Sequence, residues 1–392
     1  MSRPRHAPSF APRAIAPRDG AWRGLALVSL LMLLIAGCAA RPGPEVLVPV
    51  PETVAGARII TIYVASTRSR EAPDSNIFTS GRAAELNYAE FRISIPPGHQ
   101  AGKIEWPKGT PNPATSFVTV EQRVLDRAGF DRGVLARRTR GDGKAGIFIH
   151  GFNTNFQESL FELAQMAADA GIDTAPVLFA WPSEGTVTGY LADKEAVTYS
   201  RDGLADVLTL LACQPVKGDI TVVGHSMGAW LTVEALRQLR LTGRGSVLAK
   251  LEVVLAAPDI DIDVFRAQTQ VIGPLDPPMT ILVSRDDVAL SVAGKISGER
   301  PRVGAVNVDE PWVREAALKG RFRVIDISEL EGTDGLNHDR YLALAAFYPK
   351  LSASQGGTGG RQVRKAGAFV FNAVGATLAA PFSMAGQAIA GQ

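Results

Sequence analysis

The sequence predicts an α/β fold with a mostly parallel central sheet and helices on both of its faces. Along residues 145–327, short segments that are almost continuously apolar alternate with longer segments whose apolar residues recur at helical spacing. Strands of a parallel sheet have this composition because helices cover both faces of the sheet. In addition, one glycine-rich turn joins an apolar strand directly to the following helical segment.

Length and composition are those of an ordinary globular protein. Of the 392 residues, 46% are hydrophobic and 20% are charged, which argues against wholesale disorder and against a protein of many membrane spans. The formal net charge of +2 predicts no strong attraction to nucleic acid, so we expect no nucleic-acid partner. Of the two cysteines, Cys213 is expected to be a small buried residue.

The first 37 residues are predicted to be an export signal. Arginines precede an apolar run over residues 25–36, and this run is shorter than the about 20 residues that span a bilayer. The run ends in Leu34–Cys38 (LIAGC), which resembles the lipobox of bacterial lipoproteins. The resemblance implies that Cys38 is lipidated, and Ala39 favours the periplasmic face of the outer membrane. A plain signal peptide or signal anchor with an incidental cysteine is the alternative.

Changes of composition divide the chain into four segments. Residues 1–37 form the lipoprotein signal peptide, 38–56 an extended tether, 57–350 a single α/β domain, and 351–392 a Gly/Ser linker with an apolar tail. From Ala366 onward the tail has no charged side chain, and its large apolar residues share one helical stripe. A helix lying on a membrane and a frayed or partner-bound tail both fit this pattern.

Strands and helices are predicted in alternation within residues 57–350. The predicted strands are Arg58–Val64, Phe91–Ile95, Ala145–Ile149, Pro176–Ala180, Asp219–Val223, Leu251–Ala256, Met279–Val283 and Phe322–Ile327. The predicted helices are Phe156–Ala170, Glu195–Ala212, Ser226–Arg240 and Val288–Ile296. Residues 137–144 are expected to be a variable basic stretch.

The segment Gly224–Gly228 (GHSMG) matches the G-x-S-x-G pattern of a nucleophile elbow. The match alone is weak in a chain with 39 glycines. Its place between an apolar strand and a helix strengthens it, because a sharp turn there projects the serine Oγ above the sheet. The flanking glycines allow close backbone approach, and the helix N-terminus favours negative charge. Ser226 is therefore the predicted nucleophile, with an inert serine in a glycine-rich turn as the alternative.

A serine hydroxyl needs a base within hydrogen-bonding distance to become a strong nucleophile. Among the five histidines, only His338 follows Ser226, and it lies past the predicted strand Phe322–Ile327, where a base is expected. His225 is expected to point away from the Ser226 Oγ. The alternative for His338 is a surface histidine at the start of a helix.

The acid that orients the imidazole is expected in a loop after an intermediate strand. Asp286 and Asp287 follow the strand Met279–Val283; Asp287 is preferred, and Asp286 is expected to cap the next helix, although the choice between them stays open. A reserve set follows the preceding strand, with helix capping as its alternative role: Asp259, Asp261 and Asp263.

The segment His150–Asn153 (HGFN) follows the strand Ala145–Ile149, where the turn of an oxyanion hole belongs. The backbone N–H groups of Phe152 and Met227 are the predicted donors to the oxyanion. His150 is expected to hold this turn and, less plausibly, to take part in chemistry.

Several motifs in order resemble the bacterial α/β-hydrolase proteins classified as domain of unknown function 900. The resemblance covers roughly residues 59–348 and is more specific than the elbow alone. Its motifs are His150–Asn153, Phe179–Ser183, Tyr190–Asp193, Tyr199–Asp202, Gly224–Gly228, Ala257–Asp261 and Ser284–Asp287. It implies an α/β-hydrolase fold and a Ser-Asp-His triad, here Ser226, Asp287 and His338. Family members usually have Asn or Lys where this chain has Asp286.

The combined prediction is a membrane-anchored serine hydrolase that cleaves a carboxylic ester, with a small-molecule or lipid acyl ester as its substrate. A thioesterase or acyltransferase would use the same residues. A non-catalytic envelope lipoprotein that uses the scaffold for binding is the alternative from another class. No metal and no organic cofactor are expected, because the histidines lack metal-ligand spacing and no phosphate-binding loop is present.

Overall fold

The computed structural model describes residues 41–171 and 174–343, and the backbone of residues 369–371. The predicted signal peptide, the predicted lipidation site Cys38 and most of the predicted tail lie outside the described residues. No helix in the described ranges combines the length and the hydropathy that a membrane span requires.

A ten-stranded sheet runs through the described part of the chain. Its order is β10-β9-β8-β7-β6-β4-β5-β1-β2-β3. The strands from β9 across to β1 are parallel, whereas β2, β3 and β10 run antiparallel to their neighbours, so the predicted mostly parallel sheet is confirmed. The strands are β1 (Arg58–Arg70), β2 (Phe78–Ile95), β3 (Val118–Leu125), β4 (Ala145–Ile149), β5 (Ala175–Ala180), β6 (Ile220–His225), β7 (Leu251–Ala256), β8 (Thr280–Val283), β9 (Arg323–Asp326) and β10 (Phe369–Phe371).

Helices cover both faces of the sheet, as predicted. Because successive side chains of a strand point to opposite faces, Ile147 and Ile149 of β4 join one buried cluster and Phe148 joins the other. The first cluster includes residues of α1, α3, α4, α6 and α8, and the second includes α2. The helices are α1 (Arg127–Arg140), α2 (Phe156–Ala170), α3 (Tyr190–Cys213), α4 (Met227–Leu241), α5 (Gly245–Leu248), α6 (Ile262–Ile272), α7 (Val288–Ile296) and α8 (Pro311–Gly320).

Six of the strands and helices described are absent from the sequence prediction: β3, β10, α1, α5, α6 and α8. The expected basic stretch 137–144 begins as the last turn of α1, where arginines interact favourably with the helix C-terminus. Helix α1 buries only Phe130, Val134 and Arg138, so its apolar periodicity is too weak to recognise. Helix α3 begins at Tyr190, earlier than the predicted start at Glu195.

The N-terminal boundary and Cys213 also differ from expectation. Val46 and Leu47, in the predicted tether, are buried, and their carbonyls accept hydrogen bonds from the side chains of Thr119 (3.0 Å) and Gln122 (3.1 Å). The packed part of the chain therefore reaches back into the predicted tether. Cys213 is the last residue of α3 and directly follows Ala212, the last buried residue of this helix. Cys213 is exposed, so the prediction of a buried cysteine is wrong.

Candidate active site

Ser226 lies in a strained turn between β6 and α4. Its φ of 54° and ψ of −118° are values that non-glycine residues rarely adopt. Its N–H donates to the carbonyl of Ala256 at 2.9 Å, and its carbonyl accepts from the N–H groups of Ala229 (3.1 Å) and Asp259 (3.2 Å). These bonds stabilise a conformation that typically costs about 1–3 kcal/mol. The predicted strand-turn-helix placement is present, with α4 beginning at Met227.

The two glycines of the elbow are required by close packing. A Cβ atom at Gly224 would lie 2.5 Å from Thr232 Oγ1, within the first turns of α4. A Cβ atom at Gly228 would overlap the carbonyl oxygens of Ile149 and His150 at the end of β4. The start of α4 therefore packs directly against the turn that follows β4, and both turns of the site are fixed relative to each other.

The imidazole of His338 is hydrogen-bonded to the carboxylate of Asp287. His338 Nδ1 and Asp287 Oδ2 are 2.7 Å apart, with the His338 side chain 15% exposed and that of Asp287 0% exposed. The second carboxylate oxygen, Oδ1, accepts the backbone N–H of Leu290 at 2.9 Å and so caps α7. Because Nδ1 is engaged by the acid, Nε2 is the basic nitrogen of the neutral ring.

The pKa of His338 lies above its ordinary value. Burial alone would lower it, but the hydrogen bond and charge of Asp287, followed by the charges of Asp334 and Asp259, outweigh burial. The fold therefore favours the protonated imidazole. This contribution to stability is present below the ordinary histidine pKa of about 6.5, and it is lost as the pH rises through the higher pKa of the folded state.

Asp286 has different partners from Asp287. Its half-exposed carboxylate forms an ion pair with Arg340 and accepts a hydrogen bond from Asn337 Nδ2 at 3.2 Å. The hydrogen bond from Arg340 holds the pKa of Asp286 below its ordinary value. The prediction that Asp286 caps α7 is wrong, because Asp287 caps this helix. One oxygen of the Asp287 carboxylate accepts the Leu290 N–H, and the other is bonded to His338.

The reserve aspartates also have other partners. Asp261 caps α6 by accepting backbone N–H groups, as its alternative reading predicted. Asp259 is buried, lies 3.1 Å from Arg302 in an ion pair, and accepts the hydroxyl of Tyr190 at 2.9 Å. Asp263 is exposed and pairs with an arginine of its own helix. The acid bonded to the His338 imidazole is thus Asp287.

His225 joins the elbow to the loop that carries His338. Its Nε2 lies 3.3 Å from the backbone carbonyl of His338. Its ring packs against the rings of His338 and Tyr341, with centroid distances of 4.7 and 4.3 Å. Burial, followed by the neighbouring charge of His338, lowers the pKa of His225, so the ring is neutral and donates from Nε2. Sequence reasoning did not identify this contact, because it joins positions far apart in the chain.

The turn after β4 lies against Ser226. A Cβ atom on Gly151 would be only 3.1 Å from the Cβ of Ser226. Within the part of the chain that the structure describes, the backbone N–H groups of Phe152 and Met227 donate no hydrogen bond to another residue. The Phe152 ring packs edge-on against Tyr190 at 5.3 Å. Both predicted oxyanion donors therefore lie on the two turns that meet at Ser226.

His150 is a structural residue, in agreement with the preferred expectation. It is fully buried, and its two ring nitrogens lie 3.0 and 3.1 Å from the carbonyls of Gly151 and Trp181. The indole N–H of Trp181 donates to the His150 carbonyl at 2.7 Å, and the two rings stack. Burial, followed by the charge of Arg68, lowers the pKa of His150 to about 3.

A buried polar network that the sequence did not reveal joins the turn after β4 to the turn after β5. The guanidinium of Arg68 donates to the carbonyls of Thr154 (2.9 Å) and Ser183 (3.1 Å). The carboxylate of Asp193 accepts the hydroxyl of Ser183 at 2.6 Å and the N–H of Asn153 at 3.4 Å. The sequence signal for this network was Arg68, a charged residue in an otherwise apolar strand. A buried charge is rarely found without hydrogen-bonding or charged partners.

One comparison with known proteins identifies a relationship. A family model described as alpha/beta hydrolase of unknown function (DUF900) matches residues 132–355, a range that includes Ser226, Asp287 and His338. No curated protein and no solved structure matches the chain significantly. Among the described residues, no group of three or more His, Cys, Asp and Glu side chains is placed to hold a metal ion.

The first prediction separates the two adjacent aspartates by the pKa of His338. Asp287→Asn keeps an acceptor for the Leu290 N–H but removes the negative charge, so the pKa of His338 should fall because only the charges of Asp334 and Asp259 then oppose the effect of burial. Asp286→Asn, the matched control, should leave that pKa almost unchanged. NMR titration of isotope-labelled histidine measures both. Equal shifts in the two variants would contradict the assignment of Asp287.

Proposed function

Because this chain belongs to the α/β-hydrolase family of unknown function, we propose that it is a serine hydrolase that cleaves a carboxylic ester through an acyl-serine intermediate. Ser226 is the nucleophile, His338 the general base and Asp287 the residue that orients the base. The observation that carries the proposal is the 2.7 Å hydrogen bond between His338 Nδ1 and a fully buried carboxylate, on a loop that packs against the elbow.

In the proposed first step, the Ser226 Oγ attacks the ester carbonyl carbon while His338 Nε2 takes the hydroxyl proton. The Phe152 and Met227 N–H groups stabilise the negative oxygen of the tetrahedral intermediate. His338 then donates its proton to the alcohol oxygen as the carbon–oxygen bond breaks. In the second step, water attacks the acyl-serine with His338 as base, and the carboxylic acid and free Ser226 are regenerated.

Two features favour an enzyme over a binding scaffold. A scaffold has no need for a serine held at a positive φ, and such strain tends to persist where function requires it. It also has no need for an imidazole whose Nδ1 is engaged by a buried acid. Thioesterase or acyltransferase chemistry would use the same residues.

We also propose that the protein is a lipoprotein of the bacterial cell envelope, anchored at Cys38. The support is the segment Leu34–Cys38, which follows an apolar run of signal-peptide length. One lipid-bearing anchor would place the hydrolase domain at a membrane surface, where acyl esters of lipids are accessible. The periplasmic face of the outer membrane is the favoured location.

Labelling by a fluorophosphonate probe tests the nucleophile. The folded protein should be labelled covalently, because an activated serine attacks the phosphorus centre. Ser226→Ala should abolish labelling, whereas the exposed control Ser291→Ala should not change it. Absence of labelling in the parent protein, or equal labelling of Ser226→Ala, would contradict the mechanism and favour the binding scaffold.

Hydrolysis of p-nitrophenyl acetate and butyrate tests the reaction class and the acid. Asp287→Asn should lower kcat by roughly 10³–10⁴-fold, the loss typical of a triad acid, and Asp286→Asn should lower it only slightly. Activity should rise with pH as His338 loses its proton, at a pKa above the ordinary 6.5. A protein that accepts the probe but hydrolyses no acyl ester would point to thioesterase or acyltransferase chemistry.

Membrane fractionation tests the anchor. The parent protein should sediment with the envelope membranes and incorporate labelled palmitate, and Cys38→Ser should do neither. Cys213→Ser is the matched control, since it removes the other cysteine without touching the proposed anchor. Palmitate incorporation that survives Cys38→Ser would show the assignment to be wrong.

A further inference from the structure

An apolar groove lies on one face of the sheet, between α6 and α8. Its volume is about 630 Å³, within the range of ligand pockets. The residues of the proposed triad do not line it. Its floor is formed by β8 and β9, and its walls by the two helices. The main apolar lining residues are Phe265, Ile281, Val283, Val313, Phe322 and Val324.

The charged side chains at the edge of the groove are paired with one another. Arg266 lies 3.0 Å from Asp263, and Lys319 lies 2.6 Å from Glu315. Trp312, which also lines the groove, is 44% exposed. A groove with paired edge charges and an exposed indole suits an occupant that is apolar and carries no charge.

The edge strand β10 brings a segment with these properties to the groove. Phe369 pairs with Asp326 and Phe371 pairs with Val324, so β10 runs antiparallel to β9. Strand β10 therefore ends at Phe371 beside Val324, which is part of the groove floor. The residues that follow Phe371 are thus attached to the chain next to the groove.

The composition of residues 372–392 matches the groove. The segment has no Asp, Glu, Lys or Arg. Its large apolar side chains Val374, Leu378 and Phe382 recur at a spacing of four, which places them on one side of a helix. Burial of such side chains contributes on the order of 1.5–3 kcal/mol each.

We propose that the segment 372–392 docks into the groove between α6 and α8 of its own chain, with Val374, Leu378 and Phe382 against the groove lining. This segment is attached to the chain beside the groove. Its effective concentration at the groove therefore far exceeds the concentration of a second copy of the protein or of membrane lipid. Docking removes the exposed indole of Trp312 from solvent.

Hydrogen–deuterium exchange of the full chain, without lipid, tests the docking. Ending the chain after Phe371 should speed amide exchange in α6 and α8 by at least about threefold and leave α4 unchanged. Phe382→Asp in the full chain should do the same, which guards against a truncation that disturbs β10. Trp312→Ser should also expose these helices, whereas Leu318→Ser, an equally exposed apolar position of α8 that does not line the groove, should not.

The alternative occupants give different results. Protection of α6 and α8 that increases with protein concentration would replace the proposal with a second copy as the occupant. Protection that appears only when phosphatidylcholine and phosphatidylglycerol vesicles are added would replace it with a membrane. Identical exchange in the full chain, the truncated chain and Phe382→Asp would overturn it outright.

Discussion

The hydrogen bond between Asp287 and His338 is the interaction on which the candidate site depends. A carboxylate that is fully removed from solvent is costly unless its oxygens are satisfied, and both oxygens of Asp287 are: one by Leu290 at the start of α7 and one by the imidazole. The first bond fixes the carboxylate and the second fixes the ring. The position of the base is therefore set by a helix end that folding must form anyway.

The turn at Ser226 is held by several independent contacts. The backbone of Ser226 is bonded to β7 and to the loop after it, while the absence of side chains at Gly224 and Gly228 lets α4 approach β4. His225 then contacts the base loop through the His338 carbonyl and ring. A strained backbone conformation persists only where surrounding contacts offset its energetic cost. The contacts of Ser226 and His225 do this for the turn.

The turn after β4, which lies against Ser226, is itself held by a buried polar network. Buried polar contacts of Arg68 and Asp193 bind the turns after β4 and β5 to each other, so the predicted oxyanion turn is supported from below.

The sequence by itself predicted the alternating pattern, the elbow at Ser226, the candidate base His338 and the preferred acid Asp287, because strand periodicity and motif order are local properties. Only the tertiary structure decided that Asp287 both caps α7 and binds His338, and that Asp286 pairs with Arg340. The two aspartates are adjacent and lie in the same sequence context, so a local pattern cannot distinguish them. The same holds for β3, α1, α6 and α8, whose apolar patterns are weak, and for the contacts of His225 and Arg68. These depend on distances between residues far apart in the chain, which no local pattern contains.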